Sequence, residues 1–546
     1  MAIQATGSLP DRGKARNRIL RHILNFLLLL ILLGLFMLGF NRVIAYEDGI
    51  TRENFTIAGP LPVPVLEMRP AAQETSLVAI VAHGFSGSKE LMTGFGAELA
   101  HAGITTYLLD LPGHGQSPAP SGSQQSTRAQ ENVMAVSEAV AYVRTHNRAT
   151  KHPALILLGH SMGSVAVADY IMAHPENEDV ISTILVSPVG QEQPTLVAPK
   201  NLLLLVGQND LPAALSNSER LLRRGCDLAD TQPLPHTSYD CGNIALGTGR
   251  HLAILPGLNH LTILNANSTF SEMLTWLHHS APQVKTTGMY ADIRLFWLLL
   301  SAGGIVLALF PLCALLIDIF AIQSPVRIFS GWDVFFFDVC LLVGIAAAIA
   351  LQYYWQPLSF MHILLADYVS GYFFITALIV APLIFLLRRF VPIPSFKQAL
   401  RQILLGVLLA LFLYCTLGQL STFAWQRFAF SMSRLWRFAV IFLLILPLFL
   451  LDEGIHRGYQ ARRALPAILS GLGVKLLLVA GLFIALFITP GLGFLAIILP
   501  ILTVLFLVLA GYCLQLYTGG HAALAGAIMS ALVISWCMST TFPLIG

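Results

Sequence analysis

Charged side chains are scarce in this sequence of 546 residues. Lys and Arg together number 32 and Asp and Glu 29, which is 11% of the chain, whereas a soluble domain carries about a quarter. Hydrophobic residues make up 55%. This composition excludes an ordinary soluble protein and indicates a membrane protein. The net charge of +3 is small, and no basic patch interleaved with aromatics is present, which argues against a nucleic-acid partner.

Cysteine is also scarce, with seven residues in two groups. Five lie in apolar runs, where a free thiol behaves as a small hydrophobe: Cys313, Cys340, Cys415, Cys513 and Cys537. Cys226 and Cys241 lie in a polar stretch. In an oxidising compartment we expect these two to form a disulfide that closes a loop of about 15 residues and stabilises the fold by about 3 kcal/mol. Two free thiols are the alternative.

The N-terminal segment combines a basic stretch with a long apolar run. Residues 1–22 contain Arg16, Arg18 and Arg21 as well as Arg12 and Lys14, and residues 23–40 are apolar. The run is long enough to span a bilayer, and the basic flank predicts a cytoplasmic N-terminus followed by a transmembrane anchor. A cleaved signal peptide, with a small-residue site at 43–45, is the alternative. Both interpretations deliver the next segment outside the cytoplasm.

Residues 46–285 have ordinary polarity and alternate short apolar runs with helical patterns such as 129–146. Near-continuous apolar strands are typical of a parallel sheet that is covered on both faces. We therefore predict an α/β domain with a doubly wound, mostly parallel sheet. The predicted strands are 76–84, 104–113, 154–161, 180–188, 201–208 and 251–257.

Residues 293–546 return to long apolar runs, which predict an all-α polytopic transmembrane domain of about eight helices, or nine spans with the first. The predicted spans are 294–317, 334–352, 370–387, 403–422, 437–451, 472–489, 492–514 and 521–541. With the α/β domain outside, most basic loop residues fall inside, as expected: Arg327, Arg388, Arg389, Lys397, Arg401, Arg457, Arg462, Arg463 and Lys475. Arg427, Arg434 and Arg437 fall outside, so one span near 403–451 is expected to be miscounted or re-entrant.

One motif within the α/β domain indicates catalysis. Gly159-His160-Ser161-Met162-Gly163 matches G-x-S-x-G and lies between a predicted strand and a helical pattern. A serine displayed on such a sharp turn needs glycines beside it, because larger side chains would collide with the neighbouring strand and helix. Ser161 is therefore the candidate nucleophile. The alternative is a glycine-rich turn without chemistry.

Further candidates follow predicted strands downstream and upstream. Asp210 follows the run 201–208, and His260 follows the run 251–257. With Ser161 they stand in the order serine, acid, histidine that this strand–turn–helix arrangement uses. We predict His260 as general base and then acid, and Asp210 as the group that orients it. The backbone N–H groups of Phe85 and Met162 are the expected donors to the oxyanion.

Five stretches together carry a resemblance to a known family: HGFSGSKE, DLPGHGQS, GHSMG, VGQND and PGLNH. With them the sequence resembles the α/β-hydrolase superfamily, and more narrowly its branch with monoglyceride lipases and the prolyl-aminopeptidase-like S33 enzymes. The resemblance covers about residues 55–282 and implies a serine hydrolase without metal or cofactor. Lipid-acting relatives often carry a helical cap before the strand at 201–208, but here the extra residues are at 211–250. A large cap is therefore not expected, and the loop with Cys226 and Cys241 is a candidate wall of the site.

Other polar residues receive structural interpretations. We expect His83, His114 and His160 to belong to loop architecture, and Asp110 follows the wrong strand for a triad acid. Three carboxylates near the cysteines are expected to be solvated: Asp227, Asp230 and Asp240. In the membrane half, Asp318 and Asp338 lie near span ends. Asp452 with His456 and Glu453 with Arg457 have the i, i+4 spacing of helical ion pairs. A transport route or a second active site is the alternative for these groups.

The sequence thus predicts a membrane-embedded serine hydrolase that cleaves carboxylic esters of a lipid or other acyl substrate. The alternatives are an acyltransferase with the same triad, a transporter or scaffold with an appended hydrolase-like domain, and an S33-type aminopeptidase. Membrane lipids are the expected surroundings, and protein partners stay open. We expect a bacterial cytoplasmic membrane, because NFT at 54–56 and NST at 267–269 would be glycosylation acceptors in a secretory pathway.

Overall fold

A computed structural model describes nine stretches of the chain: 12–71, 76–175, 177–190, 200–229, 238–284, 293–322, 328–386, 394–460 and 464–546. Several residues of the sequence predictions lie outside these stretches: Asp230, Arg327, Arg388, Arg389, Arg462 and Arg463. For Arg12 and Lys14 only the helical backbone is described.

A nine-stranded sheet forms the centre of the N-terminal half, in the order β1-β2-β4-β3-β5-β6-β7-β9-β8. The strands are β1 (Ile50–Ile57), β2 (Val63–Pro70), β3 (Leu77–Ala82), β4 (Thr105–Leu109), β5 (Ala154–His160), β6 (Val180–Val186), β7 (Leu202–Gly207), β8 (Ser238–Cys241) and β9 (Arg250–Leu255). The six predicted strands are β3 to β7 and β9, and they pair in parallel. The sequence missed β1, β2 and β8, which are antiparallel strands at the two edges.

Helices cover both faces of this sheet. Along β3, Val78 and Ile80 point into one apolar cluster and Ala79 and Val81 into the other, as the two-residue period of a strand requires. The first cluster is closed by α3 (Gln125–His146), α4 (Met162–Ala173) and α5 (Pro212–Gly225), and the second by α2 (Thr93–His101) and α6 (Asn267–Ser280). The predicted α/β class with a covered, mostly parallel sheet is confirmed.

A helical bundle forms the rest of the described chain. Its helices are α1 (Arg12–Ala45), α7 (Arg294–Ile319), α8 (Gly331–Tyr354), α9 (Ala366–Leu386), α10 (Phe396–Ser421), α11 (Met432–Gln460), α12 (Ala464–Ile488), α13 (Leu495–Gly520) and α14 (Ala523–Thr541). Within the described residues, eight of them are long and apolar enough to cross a membrane, and the apolar part of α9 is shorter. Small residues let α1 and α7 approach closely: a Cβ on Gly304 would lie 2.9 Å from the carbonyl oxygen of Leu32.

The sequence predicts a miscounted or re-entrant span near 403–451. In the structure α10 and α11 are two complete helices joined by residues 422–431, and each is long and apolar enough to cross a membrane. Arg434 is only 4% exposed, and its guanidinium donates hydrogen bonds to the backbone carbonyls of Ser539, Phe542 and Gly113. The charge lies at a protein interface, where a count of loop charges does not apply.

That interface joins the bundle to two loops of the sheet domain. In the loop after β3, Ser88 Oγ donates to the carbonyl oxygen of Trp425 at 3.1 Å. In the loop after β4, Ser121 N–H donates to the carbonyl oxygen of Leu544 at 2.8 Å, and Leu544 N–H donates to that of Gly113 at 2.9 Å. The bundle therefore meets the sheet at the carboxyl ends of its strands.

Candidate active site

Ser161 lies on a strained turn between β5 and α4. Its φ of 52° and ψ of −116° are rare for a residue with a side chain. A Cβ on Gly159 would lie 2.3 Å from the carbonyl oxygen of Gly163, and one on Gly163 would lie 2.3 Å from that of Ala82. No real Cβ tolerates such contacts, so both positions need glycine. The turn has the form of a nucleophile elbow.

Two other loops bring His260 and Asp210 to Ser161. Asp210 follows β7 and His260 follows β9, at the same edge of the sheet as the elbow. His260 Nε2 lies 3.0 Å from Ser161 Oγ, and His260 Nδ1 lies 2.7 Å from Asp210 Oδ1. All three residues are buried. The geometry fits a hydroxyl that donates to Nε2 and an Nδ1–H that donates to the carboxylate.

Asp210 is held by further donors that sequence reasoning missed. Ser187 Oγ donates to Oδ2 at 2.5 Å, and the backbone N–H of Leu211 donates to Oδ1 at 2.7 Å. Burial by itself raises the pKa of Asp210, but the hydrogen bonds from His260, Ser187 and Leu211 together lower it below its usual value. The carboxylate is therefore ionised wherever His260 is a useful base. Ser187 follows β6 at the catalytic edge, which was the available signal.

The two expected oxyanion donors lie on either side of the nucleophile. Met162 is the first residue of α4, so its N–H has no carbonyl partner one turn earlier in the helix. On the other side, a Cβ on Gly84 would lie 3.1 Å from Ser161 Cβ, so the loop of His83, Gly84 and Phe85 passes directly over the serine. Both N–H groups belong to segments that contact Ser161.

One comparison with known proteins concerns the sheet domain. Residues 73–222 match the family model of serine aminopeptidase, S33. This part of the chain has the α/β-hydrolase fold. The match covers the elbow and Asp210 and stops short of His260, and it supports a hydrolase without fixing a substrate.

Several solved structures resemble the α/β-hydrolase part of the chain. A cold-adapted esterase from an Arctic intertidal metagenomic library is 14% identical, with 43% of this chain and 95% of the esterase covered and a TM-score of 0.31. The dienelactone hydrolase of Anabaena variabilis is 19% identical, with 43% and 99% covered and a TM-score of 0.31. Est1E of Butyrivibrio proteoclasticus with ferulic acid bound is 15% identical, with 41% and 99% covered and a TM-score of 0.32. Among curated proteins no match was found.

Two further histidines of the α/β-hydrolase, His83 and His160, fix its loops. His160 Nε2 lies 3.1 Å from the carbonyl oxygen of His260, and the two rings are 4.9 Å apart. His83 Nδ1 donates to the carbonyl oxygen of Gly84 at 2.7 Å and Nε2 accepts from Leu111 N–H at 3.1 Å. Burial lowers the pKa of His160 to about 3 and that of His83 to about 4. Both rings are neutral parts of the framework around the triad.

Asp110 is likewise a loop anchor rather than a triad member. Its carboxylate accepts from Lys89 N–H at 2.8 Å, from Lys89 Nζ at 2.6 Å and from Gln116 N–H at 2.9 Å. Burial by itself lowers the pKa of Lys89, but attraction by Asp110 and Glu90 raises it above its usual value. This buried pair joins the oxyanion loop to the loop after β4. Lys89 lies in the stretch HGFSGSKE, but sequence reasoning missed its pairing with Asp110.

The disulfide of the loop with the cysteines lies away from the catalytic edge of the α/β-hydrolase. Cys226 and Cys241 are joined in a disulfide, and Cys241 pairs with Arg250 at the amino end of β9. His260 follows the opposite end of that strand, so the disulfide does not line the site; residues 230–237 of the loop lie outside the described stretches. Asp240 is exposed but also pairs with His251 at 2.6 Å.

The charged groups of the bundle form a separate buried cluster. The helical pairs expected from the sequence are present, with His456 Nδ1 2.9 Å from Asp452 and Arg457 Nε 2.8 Å from Glu453. Lys475 of α12 contacts both carboxylates. A second group links α8 to the cluster, because Asp338 lies 3.2 Å from Ser470 Oγ, which lies 3.1 Å from His456. At the end of α7, Asp318 pairs with Arg18 and Arg21 of α1.

Proposed function

We propose that the protein is a membrane-embedded serine hydrolase that cleaves carboxylic esters of lipid or other acyl compounds. The observation that carries the proposal is the chain of hydrogen bonds from Asp210 through His260 to Ser161, on a turn strained to display the serine. The match of residues 73–222 to the family model of serine aminopeptidase, S33, supports a hydrolase. The apolar bundle against the catalytic edge supports an acyl substrate.

The reaction proceeds in two halves. Ser161 Oγ attacks the ester carbonyl carbon while its proton passes to His260 Nε2, and the oxyanion accepts hydrogen bonds from the N–H groups of Phe85 and Met162. His260 returns the proton to the leaving alcohol as the C–O bond breaks, which leaves an acyl-enzyme. Water then attacks with His260 as base, the carboxylic acid leaves and Ser161 regains its proton. Asp210 holds the imidazole in the required tautomer throughout.

An active-site-directed fluorophosphonate tests this proposal on the full chain in detergent. We expect covalent labelling of the wild type and hydrolysis of p-nitrophenyl butyrate. Ser161→Ala should abolish both, whereas Ser216→Ala, at an exposed serine of α5, should keep both. Absence of labelling in the wild type, or equal labelling of Ser161→Ala, would refute the proposal.

Acyl transfer is the second candidate, because Ser161 is only 3% exposed and the bundle covers the catalytic edge. A covered acyl-enzyme meets little water, and an alcohol or amine that enters with the substrate then intercepts it. Product analysis with a competing acceptor alcohol separates the two reactions. Transfer product in excess of free acid would favour the acyltransferase.

We also propose that the α/β-hydrolase part lies outside the cytoplasm. Arg16, Arg18 and Arg21 lie at the opposite end of α1 from the sheet domain, and the positive-inside rule assigns that end to the cytoplasm. Labelling of Leu246→Cys, at a side chain of the sheet domain that is 75% exposed, by a membrane-impermeant maleimide in right-side-out membrane vesicles tests this orientation. Labelling that appears only after the vesicles are inverted would contradict it.

A further inference from the structure

The bundle closes the catalytic edge of the α/β-hydrolase. Besides the contact of Ser88 with Trp425, Thr93 Oγ1 donates to the carbonyl oxygen of Phe423 at 2.9 Å. On the other side, residues 542–546 run beside the loop after β4, where Ser121 and Ile545 form a parallel bridge. Among the described residues, those of the bundle therefore lie beside the edge at which a substrate reaches Ser161.

One contact in this interface lies beside the expected oxyanion site. The ring of Phe85 packs edge-to-face on the ring of Phe494, with 4.3 Å between the centroids. Phe494 lies between α12 and α13, next to Leu492 and Leu495, which are buried in the apolar core of the bundle. Among the described residues of the sheet domain, Phe85 is the one that packs against this core. A continuous apolar surface thus runs from the oxyanion loop into the bundle.

The segment that carries Phe494 is fixed at one end and open at the other. Thr489 is buried, and its hydroxyl lies 3.3 Å from the hydroxyl of Tyr368. Gly491, with φ of 86°, and Gly493 have no atom within 4 Å of the position of an added Cβ. The glycines give the backbone freedom and space around Phe494.

We propose that Phe494 is a specificity-determining residue whose ring forms the wall on which the acyl chain of the substrate packs. The inference rests on the proposed ester hydrolysis. With the ester carbonyl between Ser161 and the N–H of Phe85, the acyl chain extends past the Phe85 side chain onto Phe494 and then among the apolar helices. The substrate class is an ester of a medium-length or long aliphatic acid, and the bundle takes the place of the helical cap for which the short segment between β6 and β7 has too few residues.

The expected effect follows from the burial of methylene groups. Each methylene buried on binding improves kcat/KM by about fourfold. A phenyl ring covers about two methylenes, so its removal should cost about tenfold for an octanoate ester relative to a butyrate ester. The measured quantity is the ratio of kcat/KM for p-nitrophenyl octanoate to that for p-nitrophenyl butyrate.

The experiment compares four forms of the full chain in one detergent, each titrated with fluorophosphonate so that rates refer to active enzyme. Phe494→Ala should lower the octanoate-to-butyrate ratio about tenfold and Phe494→Leu by less. Phe487→Ala is the matched control, because Phe487 is an aromatic residue of α12 that is 73% exposed on the outside of the bundle. It should leave the ratio within twofold of the wild type.

Three results would overturn the inference: an unchanged ratio in Phe494→Ala, a raised ratio, or an equal fall in Phe487→Ala. A raised ratio would mean that the ring obstructs the acyl chain. These results are distinct from failure of the proposed function, in which the wild type neither hydrolyses the butyrate ester nor reacts with fluorophosphonate. Normal labelling with an unaltered ratio refutes the role of Phe494 alone.

Discussion

Two buried neutral histidines should make the α/β-hydrolase part sensitive to mild acid. His83 is completely buried and His160 is 2% exposed. Burial is the main cause that lowers the pKa of His83 from 6.5 to about 4, and the nearby Lys89 lowers it further. Burial also lowers the pKa of His160 from 6.5 to about 3, with a further contribution from His260. Between pH 6.5 and about 4 the unfolded chain therefore binds protons at both positions while the folded protein does not.

The sign and the size of the effect follow from proton linkage. Because the unfolded state binds more protons in this range, the free energy of unfolding falls as the pH falls. Between pH 7.5 and 5 each of these two histidines costs about 1.5 × 1.36, or about 2 kcal/mol, so the two together cost about 4 kcal/mol. That part of the loss equals about three powers of ten in the unfolding equilibrium, which is a large part of the stability of a typical domain. Burial also lowers the pKa of His114 well below its usual value, so this histidine adds to the loss.

Amide hydrogen exchange of β5, followed by mass spectrometry on the full chain in detergent, measures this change. After correction for the intrinsic exchange rate, protection should fall at least about a thousandfold between pH 7.5 and 5. His83→Gln keeps one donor and one acceptor but does not titrate, so its fall in protection should be about thirtyfold smaller than that of the wild type. His152→Gln, at an exposed histidine, should keep the full fall. Protection that is constant from pH 7.5 to 5 would refute the reasoning.

Three further predictions concern single contacts. Ser187→Ala removes a hydrogen bond to the triad carboxylate and should lower kcat/KM by about tenfold to a hundredfold. The fraction of the protein that reacts with fluorophosphonate should stay the same. Gly163→Ala places a Cβ 2.3 Å from a carbonyl oxygen of β3 and should abolish activity, whereas Gly225→Ala, whose nearest neighbours are flexible side-chain atoms at 3.1 Å, should be tolerated. Arg434→Met removes the guanidinium that donates to three carbonyls and should speed proteolysis between the sheet domain and the bundle, whereas Arg427→Met, at an exposed arginine, should not.

The parallel part of the sheet could be predicted because its strands are buried on both faces and read as apolar runs. All six residues of β3 are buried, and so are those of β7. The edge strands lack that pattern. Of the eight residues of β1 only Ile57 is buried, and β2 contains two prolines, which argue against a strand unless it lies near an edge. Their register depends on pairing with each other, which a local pattern does not encode.

The candidate triad was accessible to sequence reasoning because each member follows a recognisable strand. The structure brings Ser161, Asp210 and His260 within hydrogen-bonding distance of one another. Ser187 also follows a strand and Lys89 lies in the stretch HGFSGSKE, but neither position indicates its partner. Their roles depend on distances between loops that lie 23 and 21 residues apart in the chain, and these are set only when the sheet has assembled. Partners of this kind require the tertiary structure.

Arg434, one of the three arginines that contradicted the charge count, bears on why the bundle has more helices than an anchor needs. The positive-inside rule describes loop charges that face water at a membrane surface. Arg434 faces protein instead, and its guanidinium ties α11, the end of α14 and a loop of the sheet domain together. A single-span anchor would leave the catalytic edge open to water, whereas this bundle covers it with helix ends and with Phe494. Under the proposed function, the further helices are therefore part of the enzyme rather than its tether, because they would supply the apolar side of a site whose polar side is built by the α/β-hydrolase.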